Sequence, residues 1–305
     1  MVSEKPKRIC AIDLGVNNFA AITNNIGKEC LLFKGEVIKS KNQWYNKKIS
    51  KLKSEQTSGT PGKSQKFIPT PKSDKLCVYR ESWMSDYMHK CAKRIIDWCV
   101  ENSIDTIIVG ENKEWKQNID TGKKNNQTFV SIPFNTFKAM LEYLYERKGI
   151  RFILQEESYT SKASFIDNDD IPVYKANDAI NHIFSGRRAP TMFNNEFGKH
   201  SNKSGYRGLY RTRNGTVINC DLNGSANIGR KCIPDMFTME GAFLPDFNNV
   251  KVYKHPDEYY EKENREKQQK MQSEKGVSKR KQRRINKKEK KLIAKRFLTS
   301  SSEIE

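Results

Sequence analysis

The sequence predicts an α/β fold: a mixed sheet flanked by helices, with an inserted irregular lobe and a basic C-terminal tail. Three observations predict it. The chain opens with short apolar runs at hairpin spacing, RICAID (8–13), NFAAIT (18–23) and ECLLFK (29–34), joined by turns rich in Gly and Asn. Strand-like and helix-like segments then alternate. Acidic residues close or follow three of the apolar runs, Asp13, Glu111 and Asp221.

In chain order, the three opening runs make a β-meander. The polar stretch 53–75 mixes Pro, Gly, Ser and Lys, which buries little apolar surface and predicts a mobile linker or loop. Residues 80–101 carry Met84, Met88, Cys91, Ile95 and Trp98 at steps of three and four, the period of an amphipathic helix packed on a sheet. TIIVG (106–110) is a short, nearly uninterrupted apolar run, suited to a strand buried on both faces in the parallel part of the sheet. Residues 131–148 repeat the helical pattern, with Phe134, Phe137, Leu141 and Leu144 on one face, Ser131 as cap and Gly149 as stop. RFILQE (151–156) is the next strand. From 157 to 219 Gly, Asn, Ser and Arg dominate, and only VYK (173–175) and TVIN (216–219) resemble strands, so this is the inserted lobe. Asp221 opens a short helix over ANIGRK (226–231), placed either to cap it or to bind metal. The expected divisions are a core over 1–156, the lobe over 157–219, the end of the core over 220–250, and a basic, largely helical or disordered tail over 251–305.

Charge narrows the partner. The formal charge of +20 on 305 residues favours a polyanion, because Lys and Arg gain affinity by releasing counterions from phosphates. Between Lys279 and Arg296 eleven basic residues stand against the single acid Glu289, about half of that net charge. A membrane surface is the competing polyanion, but there is no apolar run of about 18 residues and no signal-like leader. The composition therefore predicts an intracellular chain facing nucleic acid. The seven cysteines are odd in number and scattered without a C-x-x-C spacing; Cys10, Cys91 and Cys99 lie in apolar stretches and read as small buried hydrophobes.

The acids carry the chemistry. Cleaving a phosphodiester with two metal ions requires hard oxygen ligands that hold the ions about 4 Å apart. Asp13 ends the first strand, where Gly15 permits a tight turn; Glu111 ends the central strand, and Asp221 comes from a late helix. Each acid alone reads as a solvated or capping residue. All three after apolar runs, carried on one rigid sheet, point to a nuclease of the RNase H type.

The words around the acids sharpen this reading. IDLGVNNFAAIT, IIVGENKEWKQN, NQTFVSIPFNTFKAMLEYLYERKGI, EESYTSKASFID and DLNGSANIGRK resemble, in that order, the RuvC nuclease region of the TnpB (OrfB) family of transposon-encoded proteins, over roughly residues 8 to 237. That family is related to the compact type V CRISPR effectors. The resemblance implies an RNase H-like (RuvC) fold and an RNA-guided, metal-dependent DNA endonuclease. In it Asp13, Glu111 and Asp221 would be the RuvC-I, RuvC-II and RuvC-III acids, ligands of two Mg²⁺ ions, with Mn²⁺ an alternative. DNA and a guide RNA would be the partners, the heteroduplex reading sequence while the protein holds backbones.

Two departures from the family pattern shape further expectations. Only seven residues precede RICAID, so the wedge and recognition lobes that family members carry there would be supplied by a second polypeptide or by RNA. The four zinc cysteines of many members are missing from the lobe, so no zinc is expected, and His182 and His200 read as surface or loop residues. Arg187, Arg188, Arg207, Arg211 and Arg213 of the lobe, with Lys279, Arg280, Arg283 and Arg284 of the tail, are candidates for phosphate contact, against simple solvated charge. Trp115, Tyr159 and Phe165 read as core residues rather than base-stacking ones. The alternatives to cleavage are RNA-guided DNA binding alone and a truncated transposon remnant. The expected location is the cytoplasm, at the nucleoid, in a prokaryote, or the nucleus in a eukaryote.

Overall fold

The computed structural model describes residues 7–57, 67–111, 132–173, 182–188 and 208–258. In chain order the elements are β1 (Ile9–Leu14), β2 (Asn18–Asn24), β3 (Glu29–Lys34), α1 (Glu36–Thr57), α2 (Pro71–Glu101), β4 (Thr106–Glu111), α3 (Phe134–Glu146), β5 (Arg151–Glu156), β6 (Arg187–Arg188), β7 (Leu209–Arg211), β8 (Val217–Asn219), α4 (Cys220–Cys232) and β9 (Asp246–Tyr253). The main sheet has the order β5-β4-β1-β2-β3-β9. The meander β1-β2-β3 is antiparallel, β4 and β5 run parallel to β1, and β9 runs parallel to β3. This is the mixed, RNase H-like arrangement the sequence predicts, with one more strand at the β3 edge.

The apolar runs form interior strands because helices cover both faces of the sheet. On one face Ile9, Ala11 and Ile108 pack with Ala226 and Ile228 of α4 and with Phe165, Met236 and Phe237. On the other, Phe19 stacks on Phe134 of α3, packs tilted against Phe137 and meets Tyr87 of α2 edge-on, and Cys10 lies 3.9 Å from Cys99. Cys10, Cys91 and Cys99 are buried free thiols, as their apolar contexts predict.

Small residues let α4 approach the sheet closely. A Cβ added at Gly229 would stand 2.5 Å from Met236 Sδ and 3.1 Å from Ala11 Cβ. Ser225, fully buried, donates to the Ala11 carbonyl (2.8 Å), accepts from the Thr23 amide (3.1 Å) and shares a hydrogen bond with the Thr23 hydroxyl (2.9 Å). One side chain thus ties α4 to both β1 and β2. Asn223 and Asn227 on the same helix hold the 160–165 turn: both donate to the Ala163 carbonyl (2.8 Å each), Asn227 also to that of Thr160 (2.9 Å), and Asn223 accepts from the Phe165 amide (3.0 Å).

Several boundaries differ from the sequence reading for identifiable reasons. The stretch expected as a linker over 53–75 is helical at both ends, since α1 runs to Thr57 and α2 starts at Pro71. Thr70 and Ser73 form a capping box and Pro71 sits at the first helical turn, so residues that read as loop composition are a helix start. Asn219, not Asp221, caps α4, accepting from the amides of Asp221 and Leu222. The strand β9 runs to Tyr253, past the core end expected at 250, because Tyr253 stacks on Phe33 with ring centroids 4.8 Å apart. Gly149, at φ +70°, ends the α3 region as expected, while the proposed cap Ser131 lies outside the described residues. The lobe forms a three-stranded sheet, β6-β7-β8; in VYK only Val173 is described, and it is not in a strand.

Replacing Ser225 by Ala removes three hydrogen bonds with almost no change in volume and leaves the Thr23 amide short of a partner. We expect a loss of about 1–3 kcal/mol in urea unfolding. A loss below about 0.5 kcal/mol, within the range of ordinary surface substitutions, would contradict the bridging role.

Candidate active site

Strand periodicity decides which acids face each other, since alternate residues point to opposite sides of a sheet. Ile9 and Ala11 face α4, so Asp13 does as well, and it is the one residue of β1 that is not fully buried. Asp221 projects from the first turn of α4. Its Oδ2 accepts from Asn18 Nδ2 at 2.7 Å, and Asn18 Oδ1 in turn accepts from Lys34 Nζ at 3.0 Å. Its Oδ1 accepts from Cys220 Sγ at 3.1 Å and pairs with Arg188 Nη2 at 3.3 Å. Gly224, one turn along α4, leaves room for the first carboxylate: a Cβ there would stand 2.7 Å from Asp13 Oδ2.

The same periodicity separates Glu111 from Asp13. On β4, Ile108 faces α4, so Gly110 shares that face and Glu111 turns to the other, where it pairs with Lys138 of α3 at 3.5 Å. The space beside Gly110 is filled by a residue the sequence reading missed. A Cβ at Gly110 would stand 2.5 Å from Oε2 of Glu157 and 2.7 Å from Ile228 Cδ1. Glu157 follows β5 directly, its amide bonded to the Glu111 carbonyl at 3.2 Å. The neighbouring Glu156 points elsewhere, to Lys231 Nζ at 2.7 Å. Asp13, Asp221 and Glu157 therefore converge, and Glu111 lies across the sheet edge. The signal was present in the sequence: Gly110 occupies the inward position at the end of the central strand, and a Glu-Glu doublet ends the next one.

The electrostatics follow from burial and like charge. Burial pushes the Asp13 carboxyl well above the usual range; the carboxylates of Glu157 and Asp221 push it further, and Arg188 partly offsets them. Glu157 is raised from 4.5 to about 7, chiefly by burial, with Glu156 and Glu111 adding to it and Lys138 and Lys231 opposing. A carboxylate cluster of this kind is short of positive charge. Its all-oxygen donors suit a hard divalent cation such as Mg²⁺ or Mn²⁺ and not zinc, which prefers nitrogen and sulfur. Among the described residues, no three His, Cys, Asp or Glu are already drawn together to metal-holding distance. Among the described residues the cation paired with Asp221 is the guanidinium of Arg188, which also acts on Asp13, while Lys138 and Lys231 act on Glu157.

The remaining candidates scatter. Arg187 and Arg211 face each other across the β6-β7 pair, and the Arg213 guanidinium donates to Ser185 Oγ at 2.6 Å while its amide donates to Asp167 at 2.9 Å. Tyr159 meets His182 edge-on, and Phe165 packs on Phe237 and Phe247 as core. Arg207, Trp115, His200, Lys279, Arg280, Arg283 and Arg284 lie outside the described residues. Among those residues no helix is long and apolar enough to cross a membrane.

The raised Glu157 makes a pH prediction. Its carboxyl binds a proton more tightly in the folded than in the unfolded chain, so the stability present below pH 4.5 is lost as the pH rises to about 7. Glu157→Gln without added metal should raise stability by up to about 3 kcal/mol at pH 8 and leave it nearly unchanged at pH 4. Equal effects at the two pH values in thermal melts would contradict the burial of this charge.

Residues 2–116 match the family model OrfB_IS605, described as a probable transposase. No curated protein matches the chain in sequence. Among solved structures, a CRISPR-Cas12f ternary complex is similar at TM-score 0.50 and 17% identity, over 73% of this chain and 38% of that one. A Cas12f1-sgRNA-target DNA complex is similar at TM-score 0.48 and 14% identity, over 76% and 52%. The chain thus spans about half, or less, of the length of these relatives. Residues 2–116 thus resemble a transposase family, and the mixed sheet with its covering helices is a fold shared with a Cas12f chain.

Proposed function

We propose that this chain is the nuclease core of an RNA-guided, divalent-metal-dependent DNA endonuclease. The observation that carries the proposal is the convergence of Asp13, Asp221 and Glu157 at one end of a rigid sheet, with the pKa of Asp13 raised by burial and by Glu157 and Asp221, and that of Glu157 raised chiefly by burial. Buried like charges of this kind cost stability, and a divalent cation relieves the cost. Asp13, Asp221 and Glu157 would hold the ion or ions, Mg²⁺ or Mn²⁺. When bound, the metal supplies a water activated for attack and a counter-charge for the leaving oxygen. The third-acid role expected of Glu111 passes to Glu157 in this reading.

The chain's own residues do the positioning. Asn18, itself held by Lys34, fixes one oxygen of Asp221. Gly110 and Gly224 keep the site open by lacking the atoms that would displace Glu157 and Asp13. The net charge of +20 favours a phosphate backbone as substrate, the transposase-family match favours DNA, and the fold shared with a CRISPR ternary complex supports a guide RNA. Arg187, Arg188 and Arg211 of the lobe, and the basic run from Lys279 to Arg296, would contact phosphates.

The test is to purify the chain with its copurifying RNA, sequence that RNA, and assay plasmid cleavage in Mg²⁺. Asp13→Ala, Asp221→Ala and Glu157→Gln should each lose more than the ~100-fold that removal of an outer partner of a metal site costs, while Glu111→Gln stays within about tenfold of wild type. Equal cutting by wild type and Asp13→Ala would overturn the site. A discrete bound RNA with no cutting would favour a binding protein, and loss in Glu111→Gln but not Glu157→Gln would restore Glu111.

A further inference from the structure

Arg188 sits on the two-residue strand β6, yet its guanidinium ends among the acids of the core. Nη2 lies 3.0 Å from Cys220 Sγ and 3.3 Å from Asp221 Oδ1, and the charge lowers the cost of ionising Asp13. This placement is fixed by a short, continuous path. Arg188 pairs with Tyr210 on β7, Tyr210 pairs with Ile218 on β8, and β8 runs through Asn219 directly into α4, the helix that bears Asp221. The path is locked at each step. Tyr210 is fully buried with its hydroxyl donating to the Lys162 carbonyl at 2.7 Å, and the Cys220 amide donates to the Gly208 carbonyl at 2.9 Å. A Cβ at Gly186 would stand 2.5 Å from the Tyr210 ring, so the chain before Arg188 is pressed against the same residue.

We infer that Arg188 is a built-in counter-ion, a positioning residue that occupies the cation's place beside Asp221 in the metal-free protein and must release that carboxylate when a divalent ion binds. The inference rests on the proposal that Asp13 and Asp221 hold a cation. Asp221 Oδ1 has two lone pairs and both are engaged, by Cys220 Sγ and by Arg188 Nη2, while Oδ2 accepts from Asn18; a divalent ion that binds Oδ1 must displace one of these donors, and like charge makes the guanidinium the one to leave. The acids thus avoid uncompensated repulsion before loading, and metal affinity is set by competition with an internal charge. Once displaced, the guanidinium stands at the mouth of the site with five donors free for a phosphate, which links cation entry to substrate contact.

Mn²⁺ binding to the full chain, followed by the paramagnetic signal of free Mn²⁺, tests this without reference to activity. Arg188→Gln should bind Mn²⁺ about tenfold more tightly than wild type, and Asp221→Asn should lose the site. Arg188→Lys keeps the charge without the fork, should bind two- to threefold more tightly than wild type, and serves if Arg188→Gln fails to fold, as judged by melting. Unchanged or weaker binding in the Arg188 variants, with the site still sensitive to Asp221→Asn, would overturn the counter-ion role and leave the metal site standing. Absence of any Mn²⁺ site sensitive to Asp221→Asn would overturn both.

Discussion

The close approach of α4 to the sheet, fixed by the hydroxyl of Ser225 between β1 and β2, is the constraint on which the site depends. Ser225 reaches the Ala11 carbonyl and Thr23 because Gly224 and Gly229 on either side present no Cβ to the strands. The register that this contact sets puts the first turn of the helix over the end of β1, so that Asp221 and Asp13 share one face. The segment LNGSANIG is thus a docking surface made of small and amide side chains: Ser225 binds the sheet, Asn223 and Asn227 bind the 160–165 turn, and the acid is carried at the end.

That geometry gathers more negative charge than the surrounding protein neutralises. Asp13 is pushed up by burial and by Glu157 and Asp221, Glu157 by burial and by Glu156 and Glu111, and the positive groups nearby pair as follows: Lys138 with Glu111, Lys231 with Glu156, Lys34 through Asn18, and Arg188 with Asp221. Lys138 and Lys231 also act on Glu157, and Arg188 reaches Asp221 and Asp13 from a second, smaller sheet. An array of this kind is poised for an external cation, which connects the cost of burying charge to the chemistry proposed.

Much of this was legible in the sequence. The three opening runs and TIIVG are interior strands because apolar continuity is what a sheet covered on both faces requires, while RFILQE is the half-exposed edge strand β5. Asp13 and Asp221 stand out in the sequence because each abuts such an element, and the structure places them on one face. Glu157 begins a loop and no local period marks it; the parity of β4, which turns Gly110 inward and Glu111 outward, is what leads to it as the third acid of the proposed site. The helix starts at Pro71 and Cys220 were misread for a related reason. Thr70, Ser73 and Asn219 are loop-like in composition, and their capping roles appear only once the amides they bind are located.

The central claim is that one cation site is built from Asp13, Asp221 and Glu157 on the α4 face of the sheet. Anomalous scattering from crystals soaked in Mn²⁺ tests it most directly. A peak about 2.1 Å from carboxylate oxygens of Asp13 and Asp221, with Glu157 in its shell and Glu111 still beside Lys138, is the predicted result. A peak held by Glu111 on the opposite face, or none within reach of Asp13, would contradict it.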